Sequence, residues 1–161
     1  MCTLTFVPLE NNNFILTSSR DEQKTRKNSE LPSFKTLNNT KILRPVDGDA
    51  GGSWIGITDK GRTLCLLNGA FKIHTRNKKK KKSRGIILME LLAMTNQSEI
   101  ESYNFDKIES FTLIWIEKNK KDKDFEITNI SISKGLKNFI EITSEATSNE
   151  LVQKGINGIL T

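Results

Sequence analysis

Cys2 is the residue whose type and position point most directly to chemistry. An initiator Met is commonly removed when the second residue is small, and Cys2 would then carry both a thiol and the α-amine. That amine has an ordinary pKa of about 7.7–8.0, so it can accept the thiol proton near neutral pH. A nucleophile and its base then share one residue, as when a Thr is paired with an N-terminal amine. The alternative is a small, half-buried residue that begins a strand.

A charged pair, Arg20-Asp21, is expected beside Cys2. Residues 2–19 predict a β-hairpin, because two runs rich in β-forming residues flank a turn cluster at Glu10–Asn13. The second strand returns to the level of Cys2 at its end. Arg20 is then placed to hold a thiolate, and Asp21 to accept a hydrogen bond from the protonated amine. An exposed ion pair of little energetic value is the structural alternative.

Asn68 is the third candidate, at the end of an apolar run and before Gly69. Its side-chain amide can donate to a developing oxyanion, but Asn-Gly is equally a common turn dipeptide.

Gly51-Gly52 allows either close approach of the backbone to a ligand or a tight turn. Trp54 is predicted to be a core or pocket-wall aromatic. Cys65, which lies among leucines, is predicted to be an inert core thiol.

Cofactor and metal motifs are missing from the sequence. It contains no phosphate-binding loop and no Cys-x-x-Cys pair. His74 is the single histidine, so it offers no spacing typical of a metal site, and we interpret it as a surface residue. We therefore predict no cofactor and no metal.

The length and composition favour one domain over residues 1–161. No stretch approaches the ~20 apolar residues that a membrane span needs, and the N-terminus lacks the basic region of a signal peptide. Two cysteines are too few for a secreted disulfide scaffold. These features predict a cytoplasmic protein without a membrane span.

The positive charge is concentrated in one segment, residues 76–84, where Arg76, Lys78–Lys82 and Arg84 contribute seven charges. Without those seven, the formal net charge of +6 becomes −1. Such a block is typical of a solvated loop. No aromatic residue interleaves it to stack on bases, so we predict no specific nucleic-acid partner.

Replacing Lys78–Lys82 with Ser and Gly is expected to leave folding nearly unchanged, because exposed like charges contribute little or repel one another. Retention on a polyanion column should fall. A melting temperature lowered by more than a few degrees would show that the segment is structural.

The remaining elements follow from periodicity and turn residues. Residues 20–48, interrupted by Pro32 and Pro45, predict an irregular connection. Further strands are predicted at residues 51–58, 62–68, 111–116, 125–130 and 138–143. A helix capped by Ser83 is predicted over residues 86–94, a short helix near Glu99–Tyr103, and one helical turn at 150–154. Strands before and after the helices predict an α+β fold with mainly antiparallel sheet.

Four motifs occur in order, and together they resemble one known family. They are Met1-Cys2-Thr3-Leu4-Thr5-Phe6, Ser19-Arg20-Asp21-Glu22, Ala50-Gly51-Gly52-Ser53-Trp54-Ile55-Gly56 and Leu67-Asn68-Gly69-Ala70-Phe71. The sequence resembles the transport and Golgi organisation protein 2 family, also called the NRDE family. The resemblance implies an N-terminal nucleophile (Ntn) hydrolase-like α/β/β/α sandwich. Because family members are usually longer, the sandwich is expected to be incomplete at the C-terminus.

The resemblance also implies roles for the candidate residues. Cys2 would be the nucleophile, Arg20 and Asp21 its supporting pair, and Asn68 an oxyanion donor, by analogy with the related cholylglycine hydrolases. The family motif begins with Asn, whereas this chain has Ser19, so one amide side chain near the site is missing.

Two functions remain open at this point. The first is a cysteine amidase that hydrolyses the C–N bond of a small non-peptide amide. The second is a non-catalytic protein that binds or carries haem or an acylated lipid, which the resemblance implies because eukaryotic members are linked to haem trafficking and lipid homeostasis. The sequence leaves the oligomeric state open.

Overall fold

The computed structural model describes residues 3–9, 13–68, 82–105, 108–118, 125–133 and 136–142. These ranges form nine strands and two helices. In chain order they are β1 (Thr3–Leu9), β2 (Asn13–Ser19), β3 (Glu30–Leu37), β4 (Thr40–Val46), β5 (Ile55–Thr58), β6 (Thr63–Asn68), α1 (Arg84–Leu92), α2 (Gln97–Ser102), β7 (Phe111–Lys118), β8 (Phe125–Ser133) and β9 (Leu136–Ile142).

Strands β1 and β2 form the predicted N-terminal hairpin as a separate two-stranded sheet. Their antiparallel register runs from Leu9↔Asn13 at the turn to Thr3↔Ser19 at the open end. Phe6 and Phe14 stack within it, with ring centroids 5.5 Å apart. The open end of the hairpin therefore lies at Thr3 and Ser19, directly before Arg20.

The other seven strands form one antiparallel sheet in the order β3-β4-β5-β6-β7-β8-β9. Every strand pairs with its neighbour in the sequence, so the predicted antiparallel character is confirmed. Helix α1 packs on β5 and β6. The core between them contains side chains from the sheet, such as Leu64 and Leu113, and from α1, such as Leu88 and Leu91.

Helix α1 forms because apolar residues occupy most of its circumference, five of which are buried. Ser83 is its N-cap residue, as predicted, but the Ser83 hydroxyl makes no capping hydrogen bond, so that detail of the prediction is wrong. The second predicted helix is confirmed as α2, where the Asn96 side chain accepts a hydrogen bond from the Glu99 amide. Neither helix of the described segments is long and apolar enough to cross a membrane.

The prediction of an irregular connection over residues 20–48 is wrong, because β3 and β4 form a strand pair there. Pro32 lies where the β3–β4 register shifts, between Glu30 and Ser33. At an edge strand a proline removes no ladder hydrogen bond that the sheet requires. Arg44 in β4 is 8% exposed, and its guanidinium donates to the Ser33 hydroxyl at 3.2 Å.

Three residues of the basic segment are described, and two of them make ion pairs. Lys82 Nζ lies 2.5 Å from Glu90 Oε2. Nη2 of Arg84, the first residue of α1, lies 3.6 Å from Glu109 Oε2. Residues 76–81, His74 and the predicted helical turn at 150–154 lie outside the described ranges.

Candidate functional site

A cavity of about 630 Å³ lies where the open end of the hairpin meets the large sheet. Arg20, Asp21 and Asn68 all line it, so three of the four residues predicted from the sequence share one cavity. Trp54 forms part of the wall, as expected for a pocket-wall aromatic. Residues Ser83, Arg84 and Gly85 line it from the N-terminus of α1.

Cys2, the fourth predicted residue, lies outside the described ranges. Its neighbour in the sequence, Thr3, is paired with Ser19, and Arg20 follows Ser19.

Arg20 follows β2 and is anchored by three contacts. Its Nη2 donates to Asp47 Oδ2 at 2.9 Å and also to Glu22. Its guanidinium carbon lies 4.2 Å from the centroid of the Trp54 ring, a cation–π distance. The Arg20 side chain is only 19% exposed. A planar guanidinium held by a carboxylate and an aromatic face has little rotational freedom.

Asp47 is a residue of the cavity wall that the sequence interpretation missed. Its side chain is 7% exposed and accepts hydrogen bonds from two arginines, Arg20 and Arg26. The Arg26 contacts involve both oxygens, at 2.8 Å to Oδ1 and 2.9 Å to Oδ2. The amides of Asp49 and Ala50 also donate to Oδ1, at 3.2 and 2.9 Å. One buried carboxylate therefore joins the hairpin end to the turn that precedes β5.

Burial alone would raise the pKa of the Asp47 carboxyl, but hydrogen bonds from Arg26, the Ala50 amide and Arg20 outweigh that effect. The pKa consequently lies well below its usual range. Asp47 is thus an anion under all ordinary conditions, and it acts as a fixed negative charge rather than as a proton donor.

The two other predicted residues on the cavity wall are exposed. The pKa of the Asp21 carboxyl lies below its ordinary value, because the terminal ammonium, which Met1 carries in the unprocessed chain, donates a hydrogen bond to it and attracts it. Asn68 ends β6, where it pairs with Phe111 of β7. Helix α1 contributes a terminus without a side-chain cap or an acidic residue in its first turn. Within the described part of the chain, no group of three His, Cys, Asp or Glu residues is arranged to hold a metal ion.

Comparison with known families tests the motif-based assignment. The model of the transport and Golgi organisation 2 family matches residues 1–159. The chain belongs to this family. The match confirms the family that the four motifs predicted, while a search of the curated proteins finds no match.

In this member of the transport and Golgi organisation 2 family, the Gly51-Gly52 motif forms a turn. The Asp47 amide donates to the Gly52 carbonyl and the Gly51 amide to the Asp47 carbonyl, both at 2.8 Å. Gly51 has φ +67°, in the left-handed region that favours glycine. A Cβ on Gly52 would lie 2.4 Å from the Gly85 carbonyl carbon, so Gly52 lets this turn pack directly against α1.

Asp47→Asn is expected to lower the melting temperature by about 5–10 °C near neutral pH, because it leaves two guanidiniums without their shared anion. The pKa of Asp47 is lowered by folding, so its stabilising effect is present above the unfolded-state pKa of about 3.9 and is lost as the pH falls towards the folded-state value. The difference between variant and wild type should therefore narrow below about pH 4. Thermal unfolding of both proteins, followed by circular dichroism from pH 2.5 to 7, measures this difference in melting temperature. A difference that stays constant over that pH range would contradict the role of Asp47 as a stabilising anion.

Proposed function

We propose that this protein is a cysteine hydrolase of the N-terminal nucleophile type that cleaves the amide bond of a small non-peptide substrate. The observation that supports it is the register of the hairpin. Its last described pair, Thr3↔Ser19, is followed on one strand by Cys2 and on the other by Arg20. Arg20 is anchored on the wall of a cavity that Asp21 and Asn68 also line.

The proposed mechanism begins after removal of Met1. The α-amine of Cys2 takes the thiol proton, and the resulting thiolate attacks the carbonyl carbon of the amide. The carbonyl oxygen becomes an oxyanion that the Asn68 side-chain amide stabilises. The amine then returns the proton to the leaving nitrogen as the C–N bond breaks. Water hydrolyses the thioester, which releases the acid and regenerates the thiol.

Arg20 and Asp21 support these steps by charge. The Arg20 guanidinium favours the thiolate over the thiol. Once Met1 is removed, Asp21 would accept a hydrogen bond from the new terminal ammonium of Cys2, and it would thereby stabilise the ion pair that forms before attack. Both roles need side chains on the cavity wall, which is where Arg20 and Asp21 lie.

We also propose that the fold is related to the α/β/β/α sandwich of the N-terminal nucleophile hydrolases. An antiparallel sheet with helices on one face corresponds to half of an α/β/β/α sandwich, and the N-terminal hairpin is a second, separate sheet. In such a sandwich the terminal nucleophile lies at the end of a strand. Cys2 directly precedes β1, which agrees with that position.

The second function, carriage of haem or an acylated lipid, fits the cavity less well. About half of the residues that line it are charged, and the apolar contribution comes from Ala50, Trp54 and Leu66. A porphyrin or an acyl chain requires a predominantly apolar wall. The described lining also contains no His, Met or Cys that would ligate haem iron.

Two measurements test the amidase. Intact mass of the native protein is expected to show loss of Met1, because the mechanism needs the free amine of Cys2. A panel of acyl p-nitroanilides is then expected to give turnover with wild type and with Cys65→Ser, and none with Cys2→Ser. Quantitative retention of Met1, or equal turnover by Cys2→Ser, would refute the proposal. A saturable Soret shift on titration with haem would favour the carrier instead.

A further inference from the structure

We propose that Asp47 is a positioning residue that fixes the Arg20 guanidinium so that one edge of it stays available to an anion in the cavity. The geometry of Arg20 carries this inference, and its catalytic meaning rests on the proposed function. Asp47 belongs to none of the four family motifs and was not a candidate from the sequence.

The hydrogen bonds of Arg20 all use one nitrogen. Nη2 donates to both Asp47 and Glu22. Among the described residues, Nη1 and Nε of Arg20 have no hydrogen-bond partner, although a guanidinium offers five N–H donors in a planar fork. The Trp54 ring, 4.2 Å from the guanidinium carbon, restrains the plane. A restrained plane with unused donors is suited to holding a thiolate or an oxyanion.

Asp47, rather than Glu22, supplies the rigidity. The Asp47 side chain is 7% exposed, whereas that of Glu22 is 29% exposed. Asp47 is also fixed by Arg26 and by the backbone amides of Asp49 and Ala50. An exposed carboxylate on a flexible side chain contributes little to the orientation of its partner. The buried carboxylate, which cannot rotate without breaking five other hydrogen bonds, sets the position of Arg20.

The test compares the rate of Cys2 alkylation by iodoacetamide in four variants: Arg20→Ala, Asp47→Asn, the double variant and Glu22→Gln. At pH 7 we expect Arg20→Ala and Asp47→Asn each to slow alkylation by about three- to tenfold, the effect of up to one pKa unit. The double variant should be no slower than Arg20→Ala, because both changes remove the same interaction. Glu22→Gln should have a smaller effect than Asp47→Asn. Additive effects in the double variant would overturn the proposal.

Trp54 fluorescence reports the position of Arg20 independently of any chemistry. Asp47→Asn is expected to change the Trp54 emission in the same way as Arg20→Ala, and the change should vanish in a Trp54→Phe background. If Asp47→Asn folds too poorly, Asp47→Glu keeps the charge but moves the carboxylate by one methylene, and an intermediate change is expected. Emission and alkylation profiles identical to wild type, with only a lowered melting temperature, would show that Asp47 is merely structural. If alkylation is independent of Arg20 in every background, the proposed function fails, while the emission still decides whether Asp47 holds Arg20.

Discussion

Iodoacetamide is expected to modify Cys2 at pH 7 at least about tenfold faster than Cys65, because the proposed mechanism gives Cys2 thiolate character through neighbouring positive charge. In that mechanism Arg20 and the terminal ammonium favour the charged form of Cys2. Cys65 lies in the middle of β6 and is 0% exposed, which confirms the prediction of a core thiol and denies the reagent access. Peptide mapping after timed labelling of the native protein measures both rates.

The pH dependence separates electrostatic activation from simple exposure. Arg20→Ala should slow Cys2 alkylation at pH 7 but have little effect at pH 9.5, where an unperturbed thiol of pKa about 8.5 is mostly ionised. Cys65→Ser serves as the matched control and should leave the Cys2 rate unchanged. Equal labelling of the two cysteines, or a Cys2 rate that ignores Arg20 at every pH, would contradict the amidase mechanism.

Gly52→Ala is expected to destabilise the protein by about 3 kcal/mol or more, because the three atoms nearest to the added methyl group are all backbone atoms and would clash with it. An ideal Cβ would lie 2.4 Å from the Gly85 carbonyl carbon, 2.7 Å from the Ile86 nitrogen and 2.8 Å from the Gly85 oxygen. Backbone atoms cannot move aside as a flexible side chain can, so either the turn or the start of α1 must shift. The melting temperature should fall by about 6–12 °C.

Gly51→Ala is the matched control for this prediction. Gly51 has φ +67° but no atom within 4 Å of its Cβ position, so the substitution costs only about 1–2 kcal/mol of left-handed backbone strain. Denaturant unfolding of both variants compares the two penalties. A smaller loss for Gly52→Ala than for Gly51→Ala would show that the turn and α1 are not in close contact. Because Gly85 and Ser53, the residue after Gly52, line the cavity, the Gly52 variant should also distort the cavity wall.

Local sequence signals predicted the helices and those strands that are buried or joined by recognisable turns. The hairpin of β1 and β2 followed from alternation around a cluster of asparagines, and β5 and β6 from two apolar runs around Asp59-Lys60-Gly61. Helix α1 was predicted because it is apolar around most of its surface, and a short helix was predicted near Glu99–Tyr103, where α2 lies. In each case the deciding contacts are close in the sequence.

Strands β3 and β4 were missed because their environment removes the usual signals. β3 is the edge of the sheet and almost all its residues are exposed, including Leu31 at 87% and Phe34 at 64%, so no face is under selection for apolar residues. β4 contains a buried arginine, Arg44, beside Pro45, which resembles a loop in the sequence. Pairing between these strands, not periodicity, makes them sheet.

The site was predicted in part for the same reason. Arg20 and Asp21 followed from the hairpin register, which is a local property. Asp47 did not, because its partners lie 21 and 27 residues away in the sequence and converge only in the folded chain. Its setting, Asp47-Gly48-Asp49, is typical of an ordinary turn. A buried carboxylate that two arginines share becomes visible only in three dimensions.

The order in which the chain is synthesised bears on maturation of the site. Arg20 precedes Asp47 and Trp54, which anchor it, in the sequence, so it leaves the ribosome before they do. At ~5–20 residues per second, the 34 positions from Arg20 to Trp54 take about 2–7 s to translate. During that interval the Arg20 guanidinium lacks both the buried carboxylate and the aromatic ring that hold it. The cavity wall around Arg20 can therefore form only after Trp54 has been made.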